Sequence, residues 1–400
     1  PRVKTFGQPA TVRLMQPQMP PRQLLPDQLR GLALLGIVLV NAPFLGISGS
    51  GFDSSSIEVP LDRVVAFLVT MLAQGKFYLI FSFLFGYSAL FILKDGGKIR
   101  RIIYRRRLVA LLLLGIVHFV FFFVGDILVS YSILGFGLLL VFACPDQVVA
   151  RVAMVVGAFT SFILLVLAAM AFAFPQPSSN SGTQNYNEVM ATGNFLDQAL
   201  SRIQVIPEVL PLIVVGQWGF AFVAFCLGLL AARHQFLAEP HNRGEQFRRA
   251  AIWGLGLGLP LQFATTWFIL GPGRSVGEQA DGLSDAASVL GILVAPVLTV
   301  GYIGAIAVIS VRAPRLLRAA VPAGRTSLTV YLGESVLLTI AFSAWGLGLF
   351  GQLGATSVTL LAIFSWAILV LTMTLWLRRF SQGPLEALTA RYVKRPTRGP

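Results

Sequence analysis

The sequence predicts an all-α fold, a polytopic integral membrane bundle of about ten transmembrane helices with both termini in the cytosol. Three observations predict it. The chain combines 56% hydrophobic residues with only 12% charged residues and a mean hydropathy of +0.76, a balance outside the range of soluble domains. Its apolar residues fall into runs of about 20, the length that crosses a bilayer as a helix. The third is the placement of positive charge. If the first thirty residues are cytosolic and each run crosses once, all but four of the 31 Lys and Arg fall in inner segments. Arg63, Lys76, Arg202 and Arg274 are the four that lie outside or within the membrane. Acidic residues such as Asp53, Asp126, Asp197 and Glu278 collect in outer loops on the same count.

The elements follow in order. Residues 1–28 form a polar cytosolic arm, Pro- and Gln-rich and without the apolar core of a signal peptide. A first helix over 29–47 contains Pro43 near its outer end. The run 63–93 is oversized, since at 1.5 Å per residue it would reach about 46 Å against a core of about 30 Å. A break is therefore expected at Gln74-Gly75-Lys76, with Val64–Ala73 lying on the outer surface or re-entering and Phe77–Leu93 spanning. Helices over 107–124 and 127–143 are joined by the tight Gly125-Asp126, and 149–174 follows. An outer loop over 175–208 is too hydrophilic to enter lipid. Further helices are expected at 209–232, 248–270, 286–311, 326–349 and 357–377. Residues 29–377 thus make one transmembrane domain, and 378–400 a basic cytosolic tail. No internal repeat is visible in either orientation.

A net charge of +14 and a pI near 10.6 raise nucleic acid as a partner. The charges border apolar runs instead of forming one stripe with aromatic platforms, so anionic membrane lipid is expected and nucleic acid is not. Cys144 and Cys226 lie far apart in apolar runs and read as small buried hydrophobes, with neither a disulfide nor a metal site. The stretch GLGLGLP at 254–260 follows no strand, so it reads as a helix-packing run and not a phosphate loop.

Polar groups within hydrocarbon are costly and point to function. Asn41, Lys76, His118 and Asp126 fall at comparable depth in the outer half of the bundle on this register. His118 sits in LLLLGIVHFVFFFVG without a polar neighbour. It is read either as a packed histidine bonded to a backbone carbonyl or as a general base, the role imidazole fills most often. Asp126 would orient it, but eight residues of continuous helix separate the two by about 12 Å. An N-cap accepting from the amides of Leu128 or Val129 is the reading this spacing favours. Asn41 suits an interhelical hydrogen bond or an oxyanion donor. Lys76 suits snorkelling to headgroups or the same oxyanion. The basic run Lys98–Arg107 orients the chain and suits a ligand carrying several phosphates.

Beginning at DQLRGLALLGIVLVN (27–41), the chain resembles the transmembrane acyltransferase superfamily, which includes bacterial O-acetylating enzymes and the lysosomal heparan-α-glucosaminide N-acetyltransferase. GKFYLIFSFLFG (75–86), RRRLVALLLLGIVHFVFFFVGDILVSYSILG (105–135), GRTSLTVYLGES (324–335) and WLRRFSQGPLEAL (376–388) resemble its YeiB-like branch, the domain of unknown function 418. Asn41 stands where the O-acetylating relatives carry a histidine, while the lysosomal relative also has asparagine. Pro26, Val330 and Glu334 depart from the usual Leu, Asn and Gln. The resemblance implies acyl transfer in a bacterial cytoplasmic (inner) membrane, with acyl-CoA, most often acetyl-CoA, as the donor and no metal. It implies His118, Asn41, Lys76 and Asp126 as the catalytic group, and Arg30, Arg105, Arg106, Arg325 and Tyr131 as donor-binding residues. The acceptor would be an extracytoplasmic glycan or lipid, and a homodimer is allowed for. The alternative is a transporter or flippase for a lipid-linked or small polar substrate, with the same polar groups lining its path.

Overall fold

A computed structural model describes residues 23–175, 181–272 and 281–393, so the N-terminal arm to residue 22 and Arg274 lie outside the described residues. The described residues form helices and turns, without strands. Among the described residues, seven helical segments are long and apolar enough to cross a membrane. The protein is an all-helical membrane protein.

The chain opens with α1 (Leu24–Gly46), which starts one turn earlier than its apolar run because Leu25, Asp27 and Gln28 are already buried. The oversized second run is broken where expected. Helix α2 (Pro60–Leu72) and α3 (Phe77–Leu93) are separated by a turn at 73–76, in which Gly75 adopts φ +83°, a conformation that disfavours residues with a Cβ. Helix α4 (Lys98–Phe121) takes in the whole basic run and ends three residues sooner than its hydropathy suggests. Helix α5 (Ile127–Val141) and α6 (Asp146–Ala173) follow.

The segment read as an outer loop folds into α7 (Ser181–Thr192) and α8 (Phe195–Gln204), the latter with a complete capping box between Asn194 and Asp197. These helices are not a loose excursion, since Tyr186, Met190 and Arg202 are buried beneath them. The next run is a composite of α9 (Ile206–Ile213), a wider π turn over Val214–Trp218 and α10 (Gly219–Arg233). Then come α11 (Gly244–Leu270) and α12 (Gly282–Arg312). The short α13 (Val321–Arg325) leads into α14 (Ser327–Phe342), which stops seven residues short of the expected end. Helix α15 (Ala355–Trp376) and α16 (Pro384–Val393) complete the fold.

Helices in lipid associate through close contact, because the surrounding tails are as apolar as the side chains. Two seams show this. A Cβ on Gly86 would lie 2.0 Å from the Phe225 carbonyl oxygen, and one on Gly228 would lie 1.9 Å from that of Phe83, so α3 and α10 touch backbone to backbone. Gly254 and Gly301 make the same kind of contact between α11 and α12. The GLGLGLP run is thus a packing surface. Outward faces stay apolar and exposed, as on α6 with Met154, Val155, Phe159 and Phe162. Cys226 is buried, Cys144 is half-buried, and both thiols are free.

The C-terminal segment is not a free tail. Glu386 on α16 accepts from the backbone amides of Leu328 and Thr329 at 2.8 and 3.2 Å and from the Thr329 hydroxyl at 2.6 Å. A carboxylate thereby satisfies the orphan amides at the start of α14.

Candidate functional site

The turn between α4 and α5 builds the site. The amides of Phe122 and Phe123 both donate to the His118 carbonyl oxygen at 2.9 Å, which ends α4 and reverses the chain. Asp126 then caps α5, its Oδ1 accepting from the Val129 amide at 2.8 Å. Its other oxygen, Oδ2, points back to His118 Nδ1 at 2.6 Å. The separation of about 12 Å assumed a helix that continues through Phe122–Gly125; the helix stops, and the distance collapses. Asp126 is therefore both the N-cap and the partner of His118. Gly115 makes room for this, since a Cβ there would come within 2.7 Å of Asp126 Oδ1.

His118 is 1% exposed and Asp126 3%. Tyr331 on α14 closes one side, its hydroxyl accepting from the Ile127 amide at 3.1 Å and its ring centroid 5.2 Å from the imidazole. An ionised carboxylate can only accept, so the proton of a neutral imidazole sits on Nδ1 and Nε2 carries the free lone pair. That Nε2 is buried and has no hydrogen-bond partner among the described residues. A buried polar atom left in this way costs about 1–3 kcal/mol. Glu334, one turn beyond Tyr331 on α14, is also buried, with its Oε1 unpartnered. An imidazole oriented by a carboxylate, with its second nitrogen uncommitted, has the form of a general base.

The other expected members are placed differently. Asn41 is half-buried on α1. It continues the helical stripe of Leu34 and Ile37, which pack into the same apolar cluster as Ile127, Tyr131 and Tyr331. Lys76 belongs to a second centre. It does not snorkel; it is 1% exposed, and its Nζ donates to the Gln262 side-chain oxygen at 2.7 Å and the Thr70 carbonyl at 3.1 Å. Gln262 in turn donates to the Gly291 carbonyl at 2.8 Å. These groups line a cavity of about 450 Å³ with hydroxyl and amide groups from Ser48, Ser50, Asn187 and Thr266. Its wall includes Val40 and Pro43 on either side of Asn41, but not Asn41, His118 or Asp126. Lys76 is thus committed to a different cavity from His118.

Among the expected donor-binding residues, Tyr131 has its hydroxyl engaged within the bundle. Its hydroxyl donates to the Tyr78 carbonyl at 2.7 Å and pairs with Ser82 Oγ at 2.7 Å, so it ties α5 to α3. Arg105 is exposed and Arg106 half-buried. Arg30 reaches Asp27 at 3.4 Å and the Leu84 carbonyl at 3.5 Å. Arg325 has a buried Nε without a hydrogen-bond partner. Sequence reasoning took Arg107 only as the end of the basic run; its guanidinium lies 5.2 Å over the Phe85 ring with a buried, unpartnered NH1. The available signal was its place next to Leu108, where the basic run turns apolar and one cation in the series must face inward. Tyr104, with a buried unpartnered hydroxyl, was missed for the same reason. These uncommitted donors suit an anionic ligand. No three His, Cys, Asp or Glu converge as a metal-binding set among the described residues.

Residues 231–395 match the model of a family described as a protein of unknown function, DUF418. The chain is 27% identical over 390 residues to YxaH of Bacillus subtilis (strain 168), covering 90% of this chain and 92% of that protein. It is 26% identical over 390 residues to YeiB of Escherichia coli (strain K12), covering 90% and 94% respectively. A 39.9 kDa protein encoded in the amylase 3' region of Bacillus acidopullulyticus is 26% identical over 372 residues, covering 90% of each chain. The C-terminal part of the chain thus matches the DUF418 model, and the chain is similar over nearly its whole length to YxaH and YeiB.

Proposed function

We propose that this protein is a membrane-embedded acyltransferase of a bacterial cytoplasmic membrane. It would cross ten times with both termini inside and move an acyl group, most simply acetyl, from cytosolic acyl-CoA to an extracytoplasmic glycan or lipid. The observation that carries this is the His118–Asp126 pair, with Nδ1 held at 2.6 Å and Nε2 uncommitted.

In the reaction, His118 Nε2 removes the proton from an acceptor hydroxyl or amine as the acceptor oxygen or nitrogen bonds to the thioester carbonyl carbon. The imidazolium is stabilised through Nδ1–H by Asp126. The Asn41 amide is assigned to the oxyanion of the tetrahedral intermediate. Collapse breaks the carbon–sulfur bond, and the proton on Nε2 passes to the leaving thiolate. Arg30, Arg107 and Arg325 supply cations for the donor phosphates. Lys76 is assigned to the separate polar cavity and takes no step in this reaction.

Purified protein is expected to bind acetyl-CoA or a longer acyl-CoA, with affinity falling as salt rises because phosphate contacts are screened. A panel of acyl-CoAs and free CoA that neither binds nor raises the melting temperature would remove the acyltransferase reading. A transporter would then lead, since the α2–α3 break beside a polar cavity is the kind of interruption transporters place at a substrate path.

A further inference from the structure

A second concavity lies apart from the His118–Asp126 pair and borders the Lys76 turn, where Thr299 in its wall donates to the Lys76 carbonyl at 3.4 Å. It runs between α3, α10, α11 and α12, encloses about 500 Å³, and is walled by Phe83, Leu227, Ala231, Pro296, Val300 and Ile303. That volume falls within the range of small-molecule sites. Leu227 and Val300 are 46% and 51% exposed, so the groove opens sideways from the bundle, where lipid would meet it. The hydroxyl of Thr299 in its wall is already bonded to the Ala295 carbonyl at 2.9 Å, leaving no polar specificity along its length.

One end is different. His234, Phe236 and Arg243 form the lip. Arg243 lies 5.1 Å over the Phe236 ring and donates to the His234 carbonyl at 3.0 Å and to Gln246 at 3.3 Å. The carboxylates nearby are committed elsewhere. Asp146 holds Arg233 and His234, Glu239 accepts from Asn242, and Glu245 holds Arg248 and Arg249. Arg243 has no carboxylate partner among the described residues. An apolar trough with one such cation at its mouth is complementary to a molecule with an alkyl chain and an anionic head.

We propose that this groove binds one anionic glycerophospholipid, an acyl chain lying between α10 and α12 and its phosphate on Arg243. The site does not depend on the acyltransferase reading. It differs from the general attraction of basic loops to headgroups in having a built cavity for the chain.

The test uses the full chain in detergent, offered equal amounts of dioleoylphosphatidylglycerol and dioleoylphosphatidylcholine, with bound lipid counted by native mass spectrometry. Phosphatidylglycerol should be retained preferentially, as one molecule. Arg243→Ala should reduce that preference about five-fold, the share of one cation near a headgroup. Phosphatidylcholine retention should be unchanged. Ile303→Trp, which fills the groove, should reduce retention of both lipids; Val300→Trp, on the open rim, serves if that variant fails to fold. Arg315→Ala removes an exposed cation from outside the groove and should change nothing. Equal retention of the two lipids by the unmodified protein would overturn the proposal. So would a loss with Arg315→Ala as large as with Arg243→Ala, which marks diffuse attraction. Soluble glycerophosphate competing as well as the whole lipid would mark a free-phosphate site and overturn it too.

Discussion

In the proposed reaction His118 is the base, and two of its neighbours divide the work of positioning it. Asp126 fixes Nδ1, and Tyr331 braces the amide of Ile127, the residue after Asp126. His118→Gln keeps polarity and approximate size but takes no proton near neutral pH, so turnover should fall on the order of 10²–10⁴-fold with acyl-CoA binding retained. Specific activity of monodisperse protein within a few-fold of wild type would remove His118 from the mechanism. Asp126→Asn should separate the two roles of this residue. An amide oxygen still caps α5, so the melting temperature should hold better than with Asp126→Ala, while turnover falls in both. The His118–Asp126 contact was hidden in the sequence because hydropathy runs without interruption through HFVFFFVG and gives no sign that α4 stops at Phe121. Lys76 was misread for a related reason. Its depth was legible, but its commitment to Gln262 depends on a residue far along the chain.

At the scale of helices, the early end of α4 has its own support. Arg202 on α8 is buried and donates to the Phe121 carbonyl at 3.3 Å, placing a cation at the C-terminal end of the helix dipole. Burial pulls the Arg202 guanidinium below its usual proton affinity, and the Tyr186 phenol beside it opposes that shift. Arg202→Met should lower the melting temperature, the lost cation–dipole contact accounting for up to about 2 kcal/mol. It should also reduce turnover less than His118→Gln does. A variant that loses stability but keeps full specific activity would show that α8 does not position the turn. The role of this segment was illegible, since its polar composition is that of a solvated loop and only the tertiary contact reveals a buried arginine. The helix seams were easier to read, because glycine at close spacing in an apolar run signals backbone approach. Gly228→Ala should cost well above the roughly 1 kcal/mol of an average substitution. Gly256→Ala, with nothing within 4 Å, should be neutral or slightly stabilising. Equal melting temperatures for the two would contradict the packing described.

For the molecule as a whole, length and hydropathy recovered most helices to within a turn or two, and the break at Gly75 followed from arithmetic on an oversized run. Two kinds of feature escaped. Amphipathic helices outside the apolar runs, α7, α8 and α16, have no membrane signature, and the interruption over Val214–Trp218 has no composition that marks it. Orientation rests on the distribution of positive charge. With Cys144 and Cys226 replaced, a cysteine at Thr192 should react with an impermeant maleimide in intact cells and one at His241 should not. The reverse pattern would invert the donor side. The acyl-transfer mechanism itself is tested most directly in sealed membrane vesicles of opposite orientation, supplied with acetyl-CoA labelled in the acetyl group. Label should reach membrane-linked glycan or lipid only when the donor meets the cytosolic face, and His118→Gln should abolish the transfer. Labelling no greater than in vesicles lacking the protein, or undiminished in His118→Gln, would contradict it.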